Sequence, residues 1–299
     1  MRLSTGQVLV GRYHVDRYLG RGGMGEVWAA RDGASGQPVA IKRLLCRPSH
    51  RRFAELKARF AREARSAVEV RHPNVVEVLE FVDQEHELPL IVMELLEGET
   101  LRERLARQVS LAVPEVADVF LPVVSAVGAA HSRGIVHRDL KPANVFLVRT
   151  RHGHTSIKVL DFGVAKWLAG TQEDGALRTR TGSTLGTPEY MAPEQALGER
   201  DVDHRADVWA LGVMLYEACS GARPVEGANV AQVMRRLTSS AIVPVEHLVP
   251  LPPALSRLIG SMLSRQRLRR PQDLREAYAV LADLAGVRAP AFGAPLAAL

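Results

Sequence analysis

Four short stretches carry side chains that could act together on a phosphate. Gly20-Arg21-Gly22-Gly23-Met24-Gly25-Glu26-Val27 is a G-x-G-x-x-G-x-V run, and glycines let backbone N–H groups come close to phosphate oxygens. Val39-Ala40-Ile41-Lys42 puts an ammonium in an apolar run, seventeen residues after Gly25. Such a charge is costly to bury unless an anion meets it; a phosphate and Glu63 are both candidates. His137-Arg138-Asp139-Leu140-Lys141-Pro142-Ala143-Asn144 packs a carboxylate, a cation and a metal-capable amide into eight residues. Asp161-Phe162-Gly163 begins seventeen residues after Asn144. The hard oxygens of Asp139, Asn144 and Asp161 suit magnesium and phosphate rather than zinc.

The elements that must hold these groups can be read from periodicity and turn signals. Residues 8–95 are mostly strand-like, with β-rich runs at Tyr13–Leu19, Glu26–Arg31, Val39–Leu44, Val75–Leu79 and Leu90–Met93. Arg51–Val70 holds no Gly or Pro and spaces Phe53, Leu56, Phe60, Ala64 and Ala67 as one face of a helix. From Thr100 the pattern turns helical, with helices expected over Leu101–Gln108 and Pro114–Ser132 and again within 203–285. A strand, not a helix, follows the glycine run, and Lys42 stands where a dinucleotide fold would carry a ribose-binding acid. The dinucleotide reading is therefore set aside. The result is a small β-rich part and a larger helical part joined near Glu94–Gly98. A cleft at such a junction is where small ligands usually bind.

Composition narrows the class. Thirty-nine basic residues against 33 acidic ones give a net charge of +6 in 299 residues. Only five of the basic residues are lysines, so Lys42 and Lys141 stand out from an arginine background. The arginines are scattered and aromatics make up only 5%, which argues against a nucleic-acid surface. Cys46 and Cys219 make no metal or redox spacing and fit a reducing compartment. No signal peptide is visible, and the apolar run Val119–Ala130 falls short of the roughly 20 residues of a membrane span. A cytoplasmic segment is expected.

The four stretches, in this order and spacing, resemble the protein kinase signature. The resemblance runs from about Tyr13 to Leu284 and continues in Ala192-Pro193-Glu194 and Asp207-Val208-Trp209-Ala210-Leu211-Gly212. Gly22-Gly23-Met24-Gly25 and Gly186–Gln195 are most similar to bacterial kinases of the eukaryotic-like Ser/Thr class. It implies an α+β, bilobed fold over residues 13–285. The N-lobe, 13–95, would have five antiparallel strands and one long helix. A hinge would follow at 94–98, then a mainly helical C-lobe, 99–285, and an Ala/Pro-rich tail, 286–299.

The resemblance also implies roles. Leu19, Gly20, Gly22, Gly23, Gly25 and Val27 would cover the phosphates of ATP. Lys42 would touch them and pair with Glu63. Asn144 and Asp161 would hold Mg2+, Asp139 would accept or orient the substrate hydroxyl proton, and Lys141 would stabilise the group in transfer. Val27, Ala40 and Phe146 would enclose adenine, whose edge would bond backbone groups of Glu94 and Leu96 beside Met93. Lys141-Pro142 favours Ser or Thr acceptors in protein substrates. Arg138 implies activation-loop phosphorylation, with Thr179 and Thr181 favoured over Thr171, Ser183 and Thr184. The class also implies an N-lobe homodimer as one arrangement, and a membrane tether if a natural chain continues past the tail.

Some positions depart from the family. Val225 stands where Phe is common, and the segment before Arg270 lacks the usual Asp-Pro; Arg270 is still positioned to pair with Glu194, with Arg269 as the competing candidate. The basic turn 149–156 is longer than a tight hairpin needs; its His152 and His154, without an acid or thiol cluster, are expected to be solvated. A pseudokinase is the main rival reading. It would be marked by loss of Lys42, Asp139, Asn144 or Asp161, and all four are present. A small-molecule phosphotransferase is disfavoured by the intact Gly186–Gln195 segment.

Overall fold

The computed structural model describes residues 3–22, 25–46, 50–84, 88–149, 155–162 and 188–287. Gly23, Gly163, the histidines of the 149–156 turn, the five candidate phosphorylation sites and the tail beyond 287 lie outside them. The chain divides into two compact units. One holds the residues up to Arg71 with Val76–Glu97; the other holds His72–Val75 with the chain from Gly98 onward.

The first unit is a sheet with a helix on one face. Its strands are β1 (Val8–Leu9), β2 (Tyr13–Arg21), β3 (Gly25–Asp32) and β4 (Pro38–Leu44), then α1 (Phe53–Glu69), β5 (Val78–Val82) and β6 (Leu90–Glu94). The antiparallel order is β1-β2-β3-β4-β6-β5. This is six strands, not five. β1 is two residues long and turns back on β2 through Val10 and Gly11, both at positive φ; a strand that short carries no alternation to read. The fourth expected strand also starts later, at Val78. Val75 instead bridges Val159 in the second unit, where the Asn74 carbonyl accepts from Val159 N–H at 2.7 Å.

The sheet buries both faces. Trp28, Val39, Ile41, Leu90 and Val92 pack with Leu3, Leu9, Tyr13 and Val15 on one side. Leu44 and Ile91 pack on the other against Phe60 and Ala64 of α1. Alternation along each strand sends neighbours to opposite faces, so β4 has two inward sides. That arrangement accounts for a nearly continuous apolar run at 39–41.

The second unit begins with β7 (Gly98–Thr100), α2 (Leu101–Gln108) and α3 (Val113–His131), followed by β8 (Val145–Arg149) and β9 (Thr155–Val159). It continues with α4 (Pro193–Ala196), α5 (Arg205–Ser220), α6 (Val230–Ser239), α7 (Pro253–Met262) and α8 (Arg275–Leu284). β7, β8 and β9 form a small antiparallel sheet. α2 opens with a capping box, Thr100 accepting from Glu103 N–H while Glu103 accepts from Thr100 N–H. Two of its orphan N–H donors are satisfied that way. α3 is long and apolar enough to cross a membrane, yet it is largely buried inside this unit. A helix apolar all round is a core helix when the protein surrounds it.

Candidate active site

In the first unit, Val27 lies directly opposite Lys42, and Ala40 opposite Met93. Directly opposed residues share a face, as do residues two apart on a strand. Val27, Ala40, Lys42 and Met93 therefore line the same side of the sheet. On α1, Glu63 falls within the stripe of Phe60, Ala64 and Ala67 that faces the sheet. The Lys42 ammonium and the Glu63 carboxylate meet there as a buried ion pair. Neither charge could be tolerated alone at that depth.

The glycine run divides by what its own chain requires. A Cβ at Gly25 would strike the Arg43 carbonyl oxygen, so β3 needs glycine to lie against β4. A Cβ at Gly20 would meet nothing within 4 Å, and one at Gly22 only the Gly25 oxygen at 4.0 Å. Among the described residues nothing fills that room, which suits a ligand pressed on the backbone. Leu19 beside it is exposed. Met93, Glu94 and Leu96 are part-buried, and the Glu94 N–H is already committed to the Glu77 carbonyl at 3.0 Å. A ligand edge would find carbonyl oxygen there, not that N–H.

In the second unit, the 137–144 segment is held from beneath by one buried carboxylate. Asp207, in the first turn of α5, accepts from His137 N–H at 2.8 Å, Arg138 N–H at 2.7 Å and His131 Nε2 at 2.8 Å. Burial alone would raise its pKa, but the His131 bond and charge and the Arg138 N–H outweigh that and hold it below the usual carboxylate range. Arg138 has a φ of 65°, and Gln195 Nε2 donates to its carbonyl at 2.9 Å. Both sides of a strained residue are thereby fixed. Among the described residues only Val10, Val109, Arg138 and Asp161 are non-glycines at positive φ, and such strain persists where the surroundings over-determine it.

Above that support the candidate site groups converge. Lys141 Nζ lies 2.7 Å from Asp139 Oδ2, and Asn144 Nδ2 donates to the Asp139 carbonyl at 2.8 Å. Asn144 accepts at its own carbonyl from Leu160 N–H at 2.9 Å, which ties the segment to the residue before Asp161. His137 Nε2 donates to the Leu160 carbonyl at 2.9 Å, and its ring stacks on Phe162 with centroids 4.9 Å apart. Asp161, at φ 58°, is thus carried on a short strained bend between two anchored neighbours. Phe146 is part-buried on β8, opposite Thr100 and Lys158.

Residues 13–279 match the protein kinase domain family. The chain belongs to that family. Similar proteins include serine/threonine-protein kinase pkn3 of Myxococcus xanthus, 37% identical over 272 residues covering 89% of this chain and 49% of that protein. Pkn1 of the same organism is 39% identical, covering 89% of this chain and 36% of its own length. PknA of Mycobacterium tuberculosis is 35% identical over 97% of this chain and 64% of its own. This kinase domain therefore spans only part of the length of these relatives.

The kinase domain has further buried supports. Arg270, not Arg269, pairs with Glu194 through two contacts of 2.6 and 2.7 Å, and its guanidinium stacks 5.1 Å from the Trp209 ring centre. Arg270 is fully buried whereas Arg269 is exposed. Val225, the family departure, is buried all the same. No role was expected for His131, His137, Gln195 or Asn74. The one available signal was Asp207, an acid in the first turn of a largely apolar helix. Cys219 is buried, and burial pushes its thiol up to about 12, so it stays protonated and inert.

Proposed function

We propose that this kinase domain transfers the γ-phosphoryl group of ATP to Ser or Thr hydroxyls of proteins, with magnesium as the metal. The Asp139–Lys141–Asn144 arrangement carries this reading. A partly exposed carboxylate is fixed beside an ammonium, as a site for a hydroxyl nucleophile and a charge-rich transfer requires. Asp139 accepts or orients the hydroxyl proton, Lys141 offsets charge on the group in transfer, and Lys42, held by Glu63, binds the phosphates of the nucleotide. Val27 and Ala40, on the same face as Lys42, serve as apolar lining for adenine.

The donor set fits magnesium. Because Asn144 commits its N–H to the Asp139 carbonyl, its oxygen is the end left for a cation, and Asp161 supplies a carboxylate. Bound there, magnesium would offset the charge of the phosphate oxygens. The kinase names of its relatives support Ser/Thr acceptors, as does Lys141-Pro142.

Arg138 supports a regulatory part of the same reading. Its half-buried guanidinium donates to the Val202 carbonyl at 2.9 Å and has no carboxylate partner among the described residues. It is available to a phosphate on the 171–184 segment, where Thr179 and Thr181 are the preferred acceptors. Incubation of the protein with labelled ATP and magnesium, beside Asp139→Asn, tests the activity. Label on protein from the wild type alone is expected. Nucleotide binding without transfer by the wild type would instead make it a pseudokinase. Mass spectrometry of the same sample should find phosphate between 171 and 184; an unmodified peptide from active protein would remove the regulatory part.

A further inference from the structure

Lys42 is not the only buried charge on β4. Its neighbour Arg43 projects to the opposite face of the sheet, where Arg43 Nη2 lies 2.6 Å from Glu26 Oε1 on β3. Both residues are buried, beside a face built from Trp28, Ile41 and Leu90. A buried ion pair is a poor source of stability, because desolvation offsets the attraction. What such a pair can supply is register: it accepts one alignment of two strands and rejects the others.

The place where this register is set matters. Glu26 follows Gly25 directly, lies opposite Arg43 on β4, and on its other side lies opposite Arg21 on β2. One carboxylate thus stands between two arginines at the root of the glycine hairpin. That hairpin closes with Gly22 N–H donating to the Gly25 carbonyl at 2.8 Å. On its incoming side the β2–β3 pairing is irregular, with register shifts between Val15 and Arg17 and between Tyr18 and Gly20. On its outgoing side β3 and β4 pair without a break from Gly25–Leu44 to Arg31–Pro38. Glu26–Arg43 sits at the loop end of that regular ladder. A slip of one residue there would send Val27 and Lys42 to the wrong face.

We propose that the Glu26–Arg43 ion pair is a positioning element for nucleotide, fixing the outgoing strand of the glycine loop and the alignment of Lys42 without itself touching ATP. The inference rests on the ATP-dependent reading above. Its signature is a change in KM for ATP with little change in kcat, because the pair acts on binding geometry and not on the reacting atoms.

Steady-state kinetics with magnesium and ATP, together with thermal melting of the nucleotide-free protein, test it. Glu26→Gln is expected to raise KM for ATP about tenfold and leave kcat within about threefold. Arg43→Lys, which keeps the charge but loses the planar fork, should fall between wild type and Glu26→Gln. The double variant Glu26→Met/Arg43→Met replaces the pair by apolar side chains, an exchange that buried pairs often tolerate without loss of stability. It should melt near wild type and still show the raised KM. A double variant that restores both stability and KM would reduce the pair to packing and overturn the proposal. So would a Glu26→Gln protein whose KM stays within about twofold of wild type. A wild type that neither binds nor turns over ATP would defeat the ATP reading itself; an active wild type with unmoved variants would defeat this inference alone.

Discussion

Each unit places a lysine–carboxylate pair among its candidate site residues, and these two pairs differ in how much water reaches them. Lys42 and Glu63 leave only 5% and 4% of their side chains exposed. Lys141 and Asp139 leave 18% and 31%. The dry pair is enclosed by a helix and a sheet, so each charge depends on the other for its presence there. The wet pair rests on a strained segment whose own support, Asp207, is fully buried. One pair is sealed between a helix and a sheet; the other is left open to water and steadied from behind.

The largest expected difference lies in the wet pair. Asp139→Asn should lower kcat about 10²–10⁴-fold, the usual range for a proton-handling group, while the melting temperature stays near wild type. A large loss of stability in this variant would mean that Asp139 is structural, and the contrast would collapse.

Breaking a dry pair should do the reverse. Arg270→Ala leaves Glu194 buried without its two partner contacts and should cost about 3–5 kcal/mol in urea unfolding. A cost below about 1 kcal/mol would show that this pair behaves like a surface pair.

Strain offers a smaller test. Arg138 and Asp161 hold positive φ inside the candidate site, but Val109, at φ 65°, is an exposed residue ending α2 and belongs to none of the candidate motifs. Val109→Gly should stabilise the protein by about 1 kcal/mol without changing kcat, since glycine adopts that backbone at no steric cost. A loss of activity would link this turn to the site.

The smallest effect belongs to a part-exposed network. Glu99 is held down to about 2, chiefly by the Arg107 side-chain bond and further by Arg104. Its folded-state pKa lies below the unfolded value of 4.5, so any contribution is complete above that value and is lost as pH falls through about 2. Glu99→Gln should nevertheless cost under about 1 kcal/mol at neutral pH, because solvent screens the pair. A larger cost would blur the distinction between wet and dry pairs.

Much of the first unit was legible in sequence because its signals are local. The spacing of Phe60, Ala64 and Ala67 marks the buried face of α1 and so places Glu63 inside. The boundaries of α2 followed from a change in pattern at Thr100, and the capping box supplies the physical reason. The weak points were β1, too short to show alternation, and the start of β5, where Val75 looks like a strand residue of the first sheet but belongs with Val159 to the second unit. Glu26 and Arg43 read as ordinary charges flanking two motifs, although both are buried.

The sequence by itself singled out the residues proposed to carry the chemistry. Gly20–Val27, Lys42, Asp139, Lys141, Asn144 and Asp161 each lie in a short run whose composition is unusual at close range. Tertiary structure alone decided what holds them: Asp207 under Arg138, Gln195 on the Arg138 carbonyl, Arg270 rather than Arg269 on Glu194, and Glu26 against Arg43. Most of those partners are tens of residues apart. Burial and pairing over such separations leave no local period, and a charge that is sealed reads in sequence just like one that faces water.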